Sequence, residues 1–399
     1  MRLYMKISVL SAFLFVGLAV FFFMPGTRMA RAAEACSTGH EKQDEQIQCW
    51  LDIMRAEMRD DGIGAAMKVF SYVYNTYPTF SATGCHVHAH RVGDMAYYEF
   101  YLANPDLDAL EFPQETASCG YGFYHGFFEH LIQDNPDPSY ITSTCTYFHE
   151  RLGHMLGDMR QICYHGSGHG LMLARTEEVT NDDWGNAQAF ATKPLEQCEK
   201  LSEATVREKE ECREGIYNVL VDWMEGKEYG FVYNDIHPFA VCDELQNYDW
   251  KKACYYEMSQ KLDRVSARDP VQLVKIIAPI QDPKLQRTAL LVGIAGMMQS
   301  VANTNAYESF MRTCAQLGEK SRNDCAIGVI SGLFEHGLPQ EEYVNAIRAC
   351  RLEEIGSSGM AASCWKEVSN KLIRFYTPQR VQEICPEFPE EYRSLCSKK

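Results

Sequence analysis

The sequence predicts an all-α fold of stacked, disulfide-stapled helical hairpins, an α-solenoid or α/α superhelix. Three observations predict it. The 16 cysteines, paired with their neighbours in chain order, leave none over, and six of the eight gaps are 11 to 14 residues. The stretch after the second cysteine of a pair repeats along the chain. No long run alternates apolar and polar residues as a half-buried strand would.

The sequential pairing is Cys36/Cys49, Cys85/Cys119, Cys145/Cys163, Cys198/Cys212, Cys242/Cys254, Cys314/Cys325, Cys350/Cys364 and Cys385/Cys396. It is one of very many formal connectivities and rests on the regular spacing. The absence of C-x-x-C removes thioredoxin-type redox pairs, zinc ribbons and covalent c-type haem, which leaves structural disulfides.

The repeat reads "CGYGFYHGFFEH" from Cys119, "CYHGSGHGLML" from Cys163, "CREGIYNVLVDW" from Cys212 and "CAIGVISGLFEH" from Cys325. Glycine stands three residues past each cysteine, at Gly122, Gly166, Gly215 and Gly328, and Gly126, Gly170 and Gly332 follow four later. Glycine inside a helix costs about 1 kcal/mol against alanine, so its recurrence predicts a closely packed neighbouring helix. "LLVGIAGMM", from Leu290, reads as a copy without its cysteine.

The first cysteine of each pair is expected near the end of the preceding helix. In "YESFMRTCAQLGEKSRNDCAIG", from Tyr307, the first helix should end near Leu317, "GEKSRND" should turn, and Asn323 or Asp324 should cap the second. Each bridge would staple one helix-turn-helix corner, contributing about 3 kcal/mol in the chain-entropy model. Second cysteines from Cys119 recur after 44, 49, 42, 71, 39 and 32 residues, the 71 being what a unit without its staple gives. Two-helix units with a period of about 40 residues stack.

The chain opens with Arg2 and Lys6, an apolar run from Ile7 to Met24, then Pro25-Gly26 and the small-residue stretch Ala30-Arg31-Ala32. That order is a secretory signal's, although the run is long enough to span a bilayer. A cleaved signal and a retained membrane anchor both fit over residues 1–33, and both leave the rest extracytoplasmic: periplasmic, cell-surface or secreted. The two prolines of "IIAPIQDPK", from Ile276, suggest a boundary between an N-terminal lobe, 34–278, and a C-terminal lobe, 279–399. The formal net charge of −16 argues against nucleic acid as a partner.

Nine of the 12 histidines fall between His86 and His169, whereas cysteines and glycines run the whole length. The repeat supplies a control. Six residues past the cysteine stand His125 and His169 in two units, but Asn218 and Ser331 in others, so the fold does not need histidine there. "EH" recurs at Glu129-His130 and Glu335-His336, so both histidines read as features of the hairpin.

Residues four apart on a helix lie about 40° apart around its axis and can face one point. His86 with His90, His125 with Glu129, Glu150 with His154, and His165 with His169 meet that spacing, and Asp94 extends the His86 and His90 face. Candidate metal ligands are therefore His86, His90, Asp94, His125, His154, His165 and His169, with Glu129 or Glu150 as general base. Zinc, copper or iron would accept these donors. "HERLGH" is one residue too long for H-E-x-x-H, which turns His154 about 140° from His149. Ser167 sits between two glycines without the G-x-S-x-G frame of a nucleophile.

Two readings follow. The first is a metal-dependent hydrolase or oxidoreductase working outside the cytoplasm. The second is a metal-free scaffold that binds a protein or peptide on a concave face, its histidines only satisfying buried polar groups.

Overall fold

The computed structural model describes residues 25–396, other than 83 and 158. Of the signal or anchor reading over residues 1–33, residues 1–24 lie outside the described residues, and 25–33 fall in the helix Pro25–Gly39. No described helix is long and apolar enough to cross a membrane.

Among the described residues the chain is helical, with no strand. All eight sequential disulfides are formed and no cysteine is free among the described residues, as an oxidising, extracytoplasmic environment favours. The helices used below are α1 (Pro25–Gly39), α2 (Gln43–Asp61), α3 (Ile63–Thr76), α4 (Cys85–Ala96), α5 (Gly122–Gln133), α6 (Pro138–Leu156), α7 (Met159–Arg175), α8 (Ala187–Glu199), α9 (Val206–Gly226), α10 (Tyr248–Ser259), α11 (Pro283–Met297), α12 (Tyr307–Gln316), α13 (Glu319–His336), α14 (Glu342–Cys350) and α15 (Ala361–Phe375).

Two compact units divide after Ser81. In the first, α2 packs on α1 and α3. The Cys36–Cys49 bridge ties α1 to α2, and the buried Trp50 donates its indole N–H to the Ala33 carbonyl at 2.9 Å.

In the second unit, α4, α5, α7, α9, α10, α11 and α13 pack each on the next, and α13 returns to α4 as well as meeting α15. The neighbours are parallel where glycines mark the contact. Gly122 and Gly126 of α5 face the His86 and His90 carbonyls of α4, and Gly328 and Gly332 of α13 face the Leu291 and Ala295 carbonyls of α11. The glycine stripe is thus explained by backbone-to-backbone approach. At Gly168 and Gly215 the fit is reciprocal: a Cβ on either would strike a carbonyl of the other helix, at Cys212 or at His165. The cysteine-free copy, α11, takes its place in the series between α10 and α13.

At Ile276 to Lys284, α10 packs directly on α11 across the segment, and Pro283 opens α11 behind the cap Asp282, whose carboxylate accepts from the Lys284 N–H at 2.7 Å. A proline in the first helical turn loses no hydrogen bond, so it begins the helix there. Helix α13 starts earlier than Asn323, at Glu319 behind Gly318. Asp324, freed from capping, pairs with Arg287 at 2.9 Å.

Candidate metal centre

In the four units compared, the residue six past the second cysteine makes a polar contact to a neighbouring helix. Asn218 of α9 donates to Glu257 of α10 at 2.6 Å, and Ser331 of α13 to Glu367 of α15 at 3.2 Å. His125 of α5 reaches back to α4, its Nδ1 lying 3.1 Å from His86 Nε2. His169 of α7 reaches back to α5, its Nδ1 lying 3.1 Å from Glu129 Oε2. One donor per residue satisfies this ladder, and histidine has two nitrogens.

Hydrogen-bond partners fix which nitrogen carries the proton. Cys119, Gly120 and Tyr121, consecutive residues with φ of 60°, 62° and 62°, hold a left-handed run before α5 that presents the Cys119 carbonyl to His86 Nδ1 at 3.0 Å. A carbonyl only accepts, so His86 Nδ1 donates and its Nε2 is a lone pair. His125 Nδ1 must then donate to that lone pair, which leaves His125 Nε2 as a lone pair in turn. His169 Nδ1 donates to the Glu129 carboxylate, and His165 Nδ1 stands 3.5 Å from Glu211 Oε2. All three rings have Nδ1 committed and Nε2 available.

They also converge. His125, His165 and His169 each place one ligand nitrogen within 4.8 Å of the others. Their ring centroids are 4.6 Å apart for His125 and His165, 5.1 Å for His165 and His169, and 5.4 Å for His125 and His169. His169 is 3% exposed and its Nε2 has no hydrogen-bond partner among the described residues. Most buried polar atoms find a partner, so an orphan nitrogen beside two other imidazoles requires an explanation.

Electrostatics keep part of the cluster neutral. Burial, reinforced by His90, lowers the His86 pKa to about 3. Burial lowers His125, with His165 and His86 adding to it, and burial lowers His165 against the pull of Glu211. Glu129 goes the other way: burial disfavours its charge, but hydrogen bonds from His169 and His90 outweigh that and hold it ionised.

His90 and Asp94, from the candidate set, lie next to this group. His90 Nε2 is 3.2 Å from Glu129 Oε2 and its Nδ1 is 3.3 Å from Asp94 Oδ1. Burial opposes a proton on His90, yet Asp94 and Glu129 together raise its pKa well above the usual value. His86 belongs to the cluster through His125, as the acceptor that orients it. Glu150 and His154 do not join: both are exposed on α6, which is outside the series of parallel neighbours, so their four-residue spacing faces solvent. Ser167 is fully buried and gives its hydroxyl proton to the Cys163 carbonyl at 2.8 Å, which is helix packing.

Three further residues lie at or beside the centre: His130, read from the sequence as a feature of the hairpin, and Glu211 and Glu214, which the sequence did not single out. His130 sits 3.5 Å from Asp94 Oδ1. Glu211 and Glu214 lie beside His165, close enough to share a cation with it, and Arg207 bridges the two at 2.6 Å and 3.3 Å. Burial and the charge of Glu211 push the Glu214 pKa up, whereas His165 and Arg207 hold Glu211 down despite its burial. The signal was available: Arg207, Glu211 and Glu214, at i, i+4 and i+7, share one helix face. Comparison with family models, curated proteins and solved structures finds no match, so the functional reading rests on these residues.

Proposed function

We propose that the chain is an extracytoplasmic metal-dependent enzyme whose metal is held by His125, His165 and His169. The observation that carries the reading is the buried, unpartnered Nε2 of His169 beside two imidazoles whose Nδ1 atoms are likewise engaged elsewhere. A ligand histidine normally donates its other N–H to a carboxylate or carbonyl, which fixes the tautomer and raises basicity. Glu129, Glu211 and the chain from His86 to the Cys119 carbonyl do this for the three rings.

Three neutral imidazoles suit zinc, and copper or iron also accept them. Such an ion with an open position lowers the pKa of bound water to about 7 and supplies a nucleophile for hydrolysis. Hydrolysis is favoured over oxidation because neutral ligands leave the ion its full charge. Glu129 orients His169 and is held ionised by two imidazoles, which makes it a positioning residue rather than the base.

Metal analysis of the purified, oxidised protein tests the reading. About one zinc, copper or iron per chain, removed by chelator and restored by the ion, supports it. A metal-free protein whose melting temperature is unmoved by chelator or added ion overturns it and favours the scaffold, in which the histidines only fill the polar ladder.

For delivery, we infer that the basic and apolar segment through Met24 targets the chain for export and either remains as an anchor or is cut near Ala32. Intact-mass measurement of the exported protein separates the two, and recovery of the full chain only from the cytoplasm overturns export.

A further inference from the structure

Beside the three histidines lies a second convergence of donors with a different composition. Asp94 of α4 and Glu129 and His130 of α5 each place one ligand atom within 4.8 Å of the others. Asp94 Oδ1 is 3.3 Å from His90 Nδ1 and 3.5 Å from His130 Nε2, yet it is shielded from solvent and makes no aligned hydrogen bond to either. Three ligand atoms within this distance of one another leave a position that all three can reach. His130 has its Nδ1 3.2 Å from the Tyr98 hydroxyl, which leaves Nε2 for that position.

The backbone makes room for the carboxylate. A Cβ on Gly126 would overlap Asp94 Oδ1 as well as the His90 carbonyl, so this glycine serves the acidic group in addition to the helix contact. Glu129 connects the two clusters, because its Oε2 is 3.1 Å from His169 Nδ1 and 3.2 Å from His90 Nε2.

We propose that Asp94, Glu129 and His130 hold a second divalent cation next to the three-histidine site, with Glu129 linking the two. The inference rests on the three-histidine reading and extends it to a two-metal centre. Two carboxylates and one imidazole select a harder ion than three imidazoles do, which favours manganese(II), iron(II) or zinc over copper(I). Two adjacent ions would stabilise both the attacking and the leaving oxygen of a displacement, which makes phosphoesters the substrate class to try first.

The test counts ions per chain. Full-length protein is stripped with chelator, reloaded with zinc(II) or manganese(II) alone, and examined by native mass spectrometry. Two ions on the parent, one on Asp94→Asn and on His130→Gln, and one on His165→Ala support the proposal. His130 is partly exposed, so His130→Gln remains informative where Asp94→Asn fails to fold. One ion on the parent, kept by Asp94→Asn and lost by His165→Ala, overturns the second site and leaves the first standing. Two ions retained by Asp94→Asn and His130→Gln overturn it too, and no ion on the parent overturns both readings.

Discussion

His169 Nδ1 lies 3.1 Å from Glu129 Oε2, while the Nε2 of the same ring is buried without a hydrogen-bond partner among the described residues. A histidine retained only for packing would be replaceable by any residue that keeps the first contact. The repeat names such a residue, since Asn218 fills the equivalent position and bonds laterally at 2.6 Å. His169→Asn is therefore expected to change the stability of the metal-free protein by about 1 kcal/mol or less, the scale of one hydrogen bond, while bound metal falls from one equivalent to none at the three-histidine site. Urea unfolding and metal analysis on the same preparation check this. A clearly destabilised variant with full metal content would refute the ligand assignment.

Glu129→Gln keeps an oxygen acceptor but removes the charge that both His169 and His90 address. Loss of such a partner weakens metal affinity at the three-histidine site roughly 10- to 100-fold without abolishing binding there. Competition with a chelating dye measures it. An unchanged affinity would remove Glu129 from the centre.

Gly168→Ala puts a methyl group where the Cys212 carbonyl of α9 now lies. Overpacking of this kind costs roughly 1 to 3 kcal/mol. Helix α7 also carries His165 and His169, so metal affinity is expected to drop with stability. Gly318→Ala is the comparison, because a side chain there meets nothing within 4 Å. Equal effects of the two variants in thermal unfolding would count against close helix approach.

Glu342 is 3% exposed, accepts from the Tyr376 hydroxyl, and burial raises its pKa to about 7. The folded state then binds a proton that the unfolded chain has already released, so stability is greatest below the ordinary glutamate pKa and declines as pH rises toward 7. The decline is bounded by about 3 kcal/mol. Glu342→Gln, neutral at every pH, should flatten this part of the profile in urea unfolding at pH 4.5 and pH 7.5. A parent protein more stable at the higher pH, with the variant showing the same rise, would contradict it.

The sequence by itself determined the helical class, the eight sequential bridges and the close approach along the glycine stripe, because each depends on spacing within one hairpin. A cysteine pair 14 residues apart, such as Cys198 and Cys212, and a glycine three residues further on are local facts. The pairing of His165 with His169, four apart, was legible for the same reason.

Tertiary structure decided which helices turn inward and which partners meet across them. Glu150 and His154 have the same spacing as His165 and His169, yet the first pair is exposed on α6 and the second is buried on α7. Periodicity gives a residue's angle around its own helix and nothing about which side faces a neighbour. The return of α13 to α4 and the meeting of His165 with Glu211, 46 residues apart in sequence, depend on contacts between hairpins rather than within one. Those contacts are made by residues on separate helices, such as Gly168 and Gly215 with the carbonyls of Cys212 and His165, and no single stretch of sequence contains both sides of them.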